Sequence, residues 1–169
     1  MSDVFGAMVD TRNWTMGEDI ILDRTTFPTG AIRDMVDPHN GGTPGSRSWQ
    51  PAKMSEFIQT TQDNGGVHIN SGIPNHALYL VAAAKGRPTA EKIWYRALAQ
   101  YLTRSSQFID ARIATVKAAT DLYGAQSSEV STVKSAWDAV EVFDGTGTPP
   151  PPTTKPVGTS WLLLTNTDP

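Results

Sequence analysis

From Pro74 onward the chain is a train of amphipathic helical stripes, and that pattern leaves few choices of fold. Residues 74–85 carry Ala77, Leu78, Leu80, Val81 and Ala84 at helical spacing, and Gly86 is a good terminator. Pro88 and Thr89 start the next helix, with Thr89 as its cap, and Ile93, Trp94, Ala97, Leu98 and Tyr101 form its apolar stripe to about Leu102. Ser105 or Ser106 caps a third run to Tyr123, with Phe108, Ile109, Ile113, Val116 and Leu122 inward and Gly124 ending it. Ser127 or Ser128, then Glu129, opens a fourth with Val130, Val133, Trp137 and Val140 buried. A short helix over residues 2–10 adds Val4, Phe5, Met8 and Val9, and is expected to be the weakest held. Short connections between striped helices imply a mainly α, five-helix bundle-like domain. A long irregular excursion precedes the histidine segment.

With 169 residues and a net charge of −3, the chain suits one domain plus a tail. We divide it at 1–143 and 144–169. Gly145–Pro156 is a Pro/Thr/Gly linker favouring extended polyproline II, and Trp161-Leu162-Leu163-Leu164 follows it. Basic residues are scattered, so neither nucleic acid nor an anionic membrane is expected as a partner. No stretch is long enough to span a bilayer, and no signal peptide follows Met1. The absence of cysteine excludes thiol chemistry and disulfides, but not export.

Chemistry concentrates in Gln62–Asn75. The Gly65-Gly66 pair permits a sharp turn that can bring Asp63 back onto His68, five residues later. A histidine held by a carboxylate has a fixed tautomer and favours imidazolium, an arrangement suited to proton transfer or oxyanion stabilisation. A lone loop histidine is also a common surface residue. His76 has no ligand-spaced partner and reads as structural or exposed, and His39 and Trp49 sit in the 37–51 loop without evident partners.

Asp63-Asn64-Gly65-Gly66-Val67-His68-Ile69-Asn70-Ser71-Gly72-Ile73 resembles the active-site histidine segment of thermolysin-type neutral zinc metalloproteases. Ile93–Leu98, Tyr101–Thr103, Ala119–Gly124 and Ala136–Val140 follow in that family's order, and Ser2–Gly6 resembles the stretch after its third zinc ligand. The resemblance implies the helical lobe of a secreted enzyme that hydrolyses peptide bonds. It implies His68 as oxyanion stabiliser, Asp63 as its holder, Arg33 gripping a substrate carbonyl, and Ile32 lining a pocket for bulky apolar side chains. Asp3 matches a carboxylate that orients a zinc-ligating histidine. Without the resemblance, Arg33 reads as an exposed residue in a short helical turn, and Asp3 as a helix N-terminal carboxylate.

The same resemblance places calcium-binding acids between Thr11 and Asp23, where Asp10, Glu18 and Asp19 are the candidates. Calcium takes six to eight oxygens, so three carboxylates with a few carbonyls fall short of a two-ion cage; they read as plain solvated charges, with a single weak site as the alternative. Zinc is expected in the intact enzyme but not in this chain. The His-Glu-x-x-His motif and third ligand are absent from it, and any export signal or zinc-binding N-terminal lobe would lie upstream. By this reading the chain alone is inactive. The alternative is an independently folding, non-catalytic helical binding module derived from such an enzyme.

Overall fold

A computed structural model describes residues 1–46 and 48–145 of the chain. The Trp161–Leu164 run and nearly all of the 144–169 tail lie outside the described residues. In chain order the helices are α1 (Ser2–Val9), α2 (Asp63–Gly66), α3 (Gly72–Lys85), α4 (Arg87–Gln100), α5 (Phe108–Tyr123) and α6 (Ser128–Ala139). Two short strands, β1 (Thr15–Met16) and β2 (Arg33–Asp34), pair antiparallel with Thr15 opposite Asp34 and Met16 opposite Arg33. Single 3-10 turns at Pro38–Gly41 and Met54–Glu56 interrupt the excursion before α2. The five expected helices are present, and α2 is an added single turn.

Helices α3 to α6 close into a ring, each packed on two neighbours: α3 on α4 and α6, α5 on α4 and α6. The centre is filled by Trp94 of α4 and Trp137 of α6, whose rings stack 6.3 Å apart at 11°. Ile73, Leu78, Val81, Ile93, Val133 and Val140 complete the dry interior. The four expected core residues of α6, Val130, Val133, Trp137 and Val140, are all buried.

Helix α5 departs from the expectation. Ile113 and Leu122 face solvent, and the buried face is Phe108, Ala111, Arg112, Ala114, Thr115, Ala118 and Ala119. Indoles occupy the bundle centre, so the facing helix must present small side chains; bulky ones would overpack it. The buried Arg112 donates to Asp138 at 2.6 Å and to the Val142 carbonyl at 2.8 Å, fastening the chain where α6 ends. Ala84 on α3 and Val9 on α1 likewise point outward.

Two caps are corrected as well. Gly86, at φ 83° and ψ 151°, both ends α3 and precedes α4, so α4 begins at Arg87 and Thr89 falls inside its first turn. Ser106 does not cap α5, because its hydroxyl accepts from the Thr103 amide at 2.9 Å. Gln107 caps instead, in a reciprocal box with Asp110, whose carboxylate accepts from the Gln107 amide at 2.8 Å. Ser127 caps α6, accepting from the Val130 amide at 3.3 Å.

Helix α1 is docked more firmly than its shortness suggests. Val4, Ala7 and Met8 are buried against the bundle. Arg87 of α4 donates to the carbonyls of Ala7 and Asn13 and lies 3.6 Å over the Trp14 ring. A guanidinium on the last carbonyls of a helix satisfies groups left without intrahelical partners and suits the negative end of the dipole.

Candidate active site

Residues 63–66 form a single left-handed turn. Their φ angles are all positive: Asp63 53°, Asn64 48°, Gly65 85° and Gly66 77°. The Gly65 and Gly66 amides donate to the Gln62 carbonyl at 3.0 and 2.9 Å, and Val67 to that of Asp63 at 3.0 Å. Ordinary L-residues resist this conformation, whereas Asp, Asn and Gly are the types that visit it. The Asp-Asn-Gly-Gly string is thus the local cause of the turn.

The turn carries the Asp63 carboxylate over the residue it was expected to meet. One oxygen accepts from Nδ1 of His68, and the other accepts from the His68 backbone N–H at 2.9 Å. Burial pushes the Asp63 carboxyl up, but the His68 ring and amide outweigh it and hold the group below its usual value. The His68 side chain is 73% exposed, so its ring is held by the carboxylate and not by packing.

The far side of His68 is fixed by residues with no sequence signal. Gln50 donates from Nε2 to the His68 carbonyl and to the Ser71 hydroxyl, and Ser71 donates to the same carbonyl at 2.7 Å. Buried Asn70 ties the segment to the excursion, accepting from the Ile58 amide at 2.9 Å and donating to its carbonyl at 3.0 Å. Gly72 allows the close approach: a Cβ there would lie 2.4 Å from the Pro51 carbonyl oxygen.

Asp3 joins this segment to Arg33. Its Oδ2 accepts from Asn75 at 2.7 Å, and sits 3.4 Å from the Ser71 hydroxyl and 3.5 Å from Nε of Arg33. Arg33 is a strand residue with a side chain only 15% exposed, not an exposed residue of a helical turn. It donates to the Ile32 carbonyl at 3.0 Å. Half-buried Ile32 packs over Gly17, and its amide donates to the Met16 carbonyl at 2.7 Å. Arg33, Asp3, Ser71, His68 and Asp63 therefore form one connected set.

The other two histidines have structural partners. His76 bonds the Met35 carbonyl at 3.0 Å and stacks on Tyr79. His39 stacks on Trp49 at 5.1 Å and meets Glu56 at 2.8 Å, so this pair does have partners. Among the described residues, no group of three or more His, Asp or Glu side chains is placed to hold a metal ion. The described residues do not fit a zinc site. In the loop after α1, Arg12 lies between the calcium candidates, bonding Asp10 at 2.6 Å and Asp19 at 2.8 Å, while Glu18 accepts from Asn13 at 2.7 Å. Hydrogen bonds from Arg12 lower the Asp10 carboxyl to about 2.

Comparison with known proteins gives these residues their setting. The family model for the thermolysin metallopeptidase α-helical domain matches residues 1–142. An extracellular elastase from Staphylococcus epidermidis is 43% identical over 141 residues, covering 83% of this chain and 26% of that protein. A bacillolysin from Brevibacillus brevis is 45% identical over 153 residues, covering 84% of this chain and 27% of that protein. The solved precursor of protealysin, a metalloproteinase from Serratia proteamaculans, matches with a TM-score of 0.69 at 34% identity, over 84% of this chain and 48% of that one. The chain spans about a quarter of the length of the relatives it matches by sequence. It belongs to the thermolysin metallopeptidase family, as that family's α-helical domain.

Proposed function

We propose that this domain forms one wall of the substrate cleft of a secreted zinc metalloendopeptidase, and that its residues act on the peptide at the moment of attack. The observation that carries the reading is the pairing of an exposed imidazole with a carboxylate that holds both its ring and its backbone. His68 presents its free ring edge to the oxygen that becomes negative as the peptide carbonyl is attacked. Asp63 keeps the proton on the opposite nitrogen and balances positive charge on the ring. A donor fixed in advance at that position stabilises the transition state without reorganising.

Arg33 binds a substrate carbonyl with guanidinium N–H groups that Asp3 and the Ile32 carbonyl leave available; its planar fork suits that contact. Ile32 lines a pocket for an apolar side chain beside the bond to be cut. In such an enzyme zinc supplies Lewis acidity, with ligands that this domain does not provide. Asp3 would orient one of those ligands from across the domain boundary. In the loop after α1, Arg12 supplies the positive charge that a calcium ion would otherwise bring.

The test is complementation. This chain, mixed with a lobe bearing a His-Glu-x-x-His motif and with zinc, is expected to cleave casein, whereas neither piece does so alone. Cleavage by the purified chain alone, or none by the reconstituted mixture, overturns the reading. A non-catalytic binding module derived from such an enzyme is the second reading, favoured by the self-contained ring of α3 to α6. It requires the folded mixture to bind peptide without cutting it.

A further inference from the structure

We propose that Gln50 is a positioning residue for His68, aiming its imidazole through the peptide group on the C-terminal side of that residue. Gln50 is 2% exposed and comes from the excursion, eighteen positions earlier in the chain. A primary amide has two N–H groups, and burying either without an acceptor is costly. Here one N–H goes to the His68 carbonyl and the other to the Ser71 hydroxyl at 3.1 Å, so the side chain has a defined place. That place is itself braced. The Gln50 backbone N–H donates to the Pro38 carbonyl at 3.1 Å, and the bare Cα of Gly72 lies under its side chain, where a Cβ would come within 2.8 Å of the Gln50 Cβ.

The consequence is geometric. Asp63 holds the N–H of His68, while Gln50 and Ser71 hold its carbonyl. Both peptide groups flanking the His68 Cα are therefore fixed by side chains, and with them its φ and ψ. The ring is largely exposed and has little packing to orient it. Its direction follows from that backbone and from the Asp63 bond alone. Gln50 touches no reacting atom; its catalytic meaning rests on the oxyanion role proposed above for His68, but its orienting role does not.

The orienting role is tested by ring NMR on the full 169-residue chain, in which three histidines report separately. In Gln50→Met, which keeps length and volume but has no N–H, exchange of the His68 Nδ1 proton with water is expected to rise about fivefold, the value of one ordinary hydrogen bond. The His39 and His76 ring signals stay as in the parent. Unchanged His68 exchange in a folded variant, or all three histidines shifting together, overturns the proposal. Should Gln50→Met fail to fold, Gln50→Asn withdraws the amide by one methylene and is expected to give the same selective change; its absence counts equally against the idea. Because no activity is read, this outcome is independent of complementation. If His68→Ala left a reconstituted enzyme fully active, the catalytic reading would fall while the positioning result stood.

Discussion

Asp63 binds His68 twice, one carboxylate oxygen on ring Nδ1 and the other on the backbone N–H at 2.9 Å. The two residues are thus one unit, and the unit has a pH signature. The Asp63 carboxyl is depressed, so its contribution to stability is complete above the unfolded carboxylate value of about 3.9 and is lost as pH falls through the lower folded value. Asp63→Asn is expected to lower the urea midpoint at pH 6 and to differ progressively less from the parent below about pH 4. A difference that persists undiminished in acid would contradict the assignment.

For His68→Ala the structure separates stability from catalysis. The ring is exposed, so its removal leaves no cavity and costs only its bond to Asp63, while the backbone bond stays; the melting temperature should fall less than in Asp63→Asn. Turnover of the reconstituted enzyme is expected to fall by about 10² to 10³, the usual loss for one preorganised donor at a developing oxyanion. Bound zinc, measured in the same sample, should be the same as in the parent. A rise in KM alone, with kcat intact, would point to a substrate-contact role instead.

The left-handed turn makes a prediction about hand. Asn64 sits at φ 48° and ψ 43°, where a β-branched side chain crowds the backbone. Asn64→Val should cost about 1–2 kcal/mol in chemical denaturation, whereas Asn64→Gly should cost little. Similar losses for both would mean that the Asn64 side chain, not its backbone conformation, matters at this position.

How much of this was readable beforehand depends on range. The helices declare themselves through stripes such as Val130, Val133, Trp137 and Val140, because periodic burial is a local signal. Helix α5 misleads for a physical reason: its neighbours bring two tryptophans, so its inward face is alanine, and Ile113 is left outside. Asp-Asn-Gly-Gly announces a turn, but a turn-forming string does not state four consecutive left-handed residues. The least legible contacts are long-range and single. Nothing near Gln50 forecasts His68, and nothing near Arg87 forecasts the end of α1. Each depends on how distant elements pack, and neither repeats with any period.

Arg12 gives a direct measurement in the loop where calcium ligands were anticipated. Its guanidinium bonds both Asp10 and Asp19, and the Asp10 carboxyl is lowered to about 2. Carboxyl-carbon NMR of the parent should show Asp10 titrating there. In Arg12→Met the midpoint should rise toward about 3.9 but stay below it, because the backbone N–H of residue 12 still donates to Asp10. Added calcium is expected to leave the parent's Asp10 and Asp19 signals in place. Saturable shifts of those signals with calcium would show that the cation displaces the arginine.

The last prediction concerns the bundle centre. Trp137 buries its indole completely and donates from Nε1 to the Thr115 hydroxyl at 2.8 Å. That hydroxyl donates in turn to a carbonyl one helical turn back, Ala111 at 2.8 Å. Thr115→Val preserves shape but removes the acceptor, leaving a buried indole N–H with no partner. The unsatisfied donor should cost about 1–3 kcal/mol, with the two-state character of unfolding retained. Trp137→Phe in the Thr115→Val background removes the orphaned donor together with part of the ring. If the hydrogen bond is the origin of the loss, Thr115→Val is less damaging in the Trp137→Phe background than alone, and a double-mutant cycle reports the coupling. Strictly additive losses would assign the effect to packing and remove the hydrogen bond from the account of how α5 and α6 are held together.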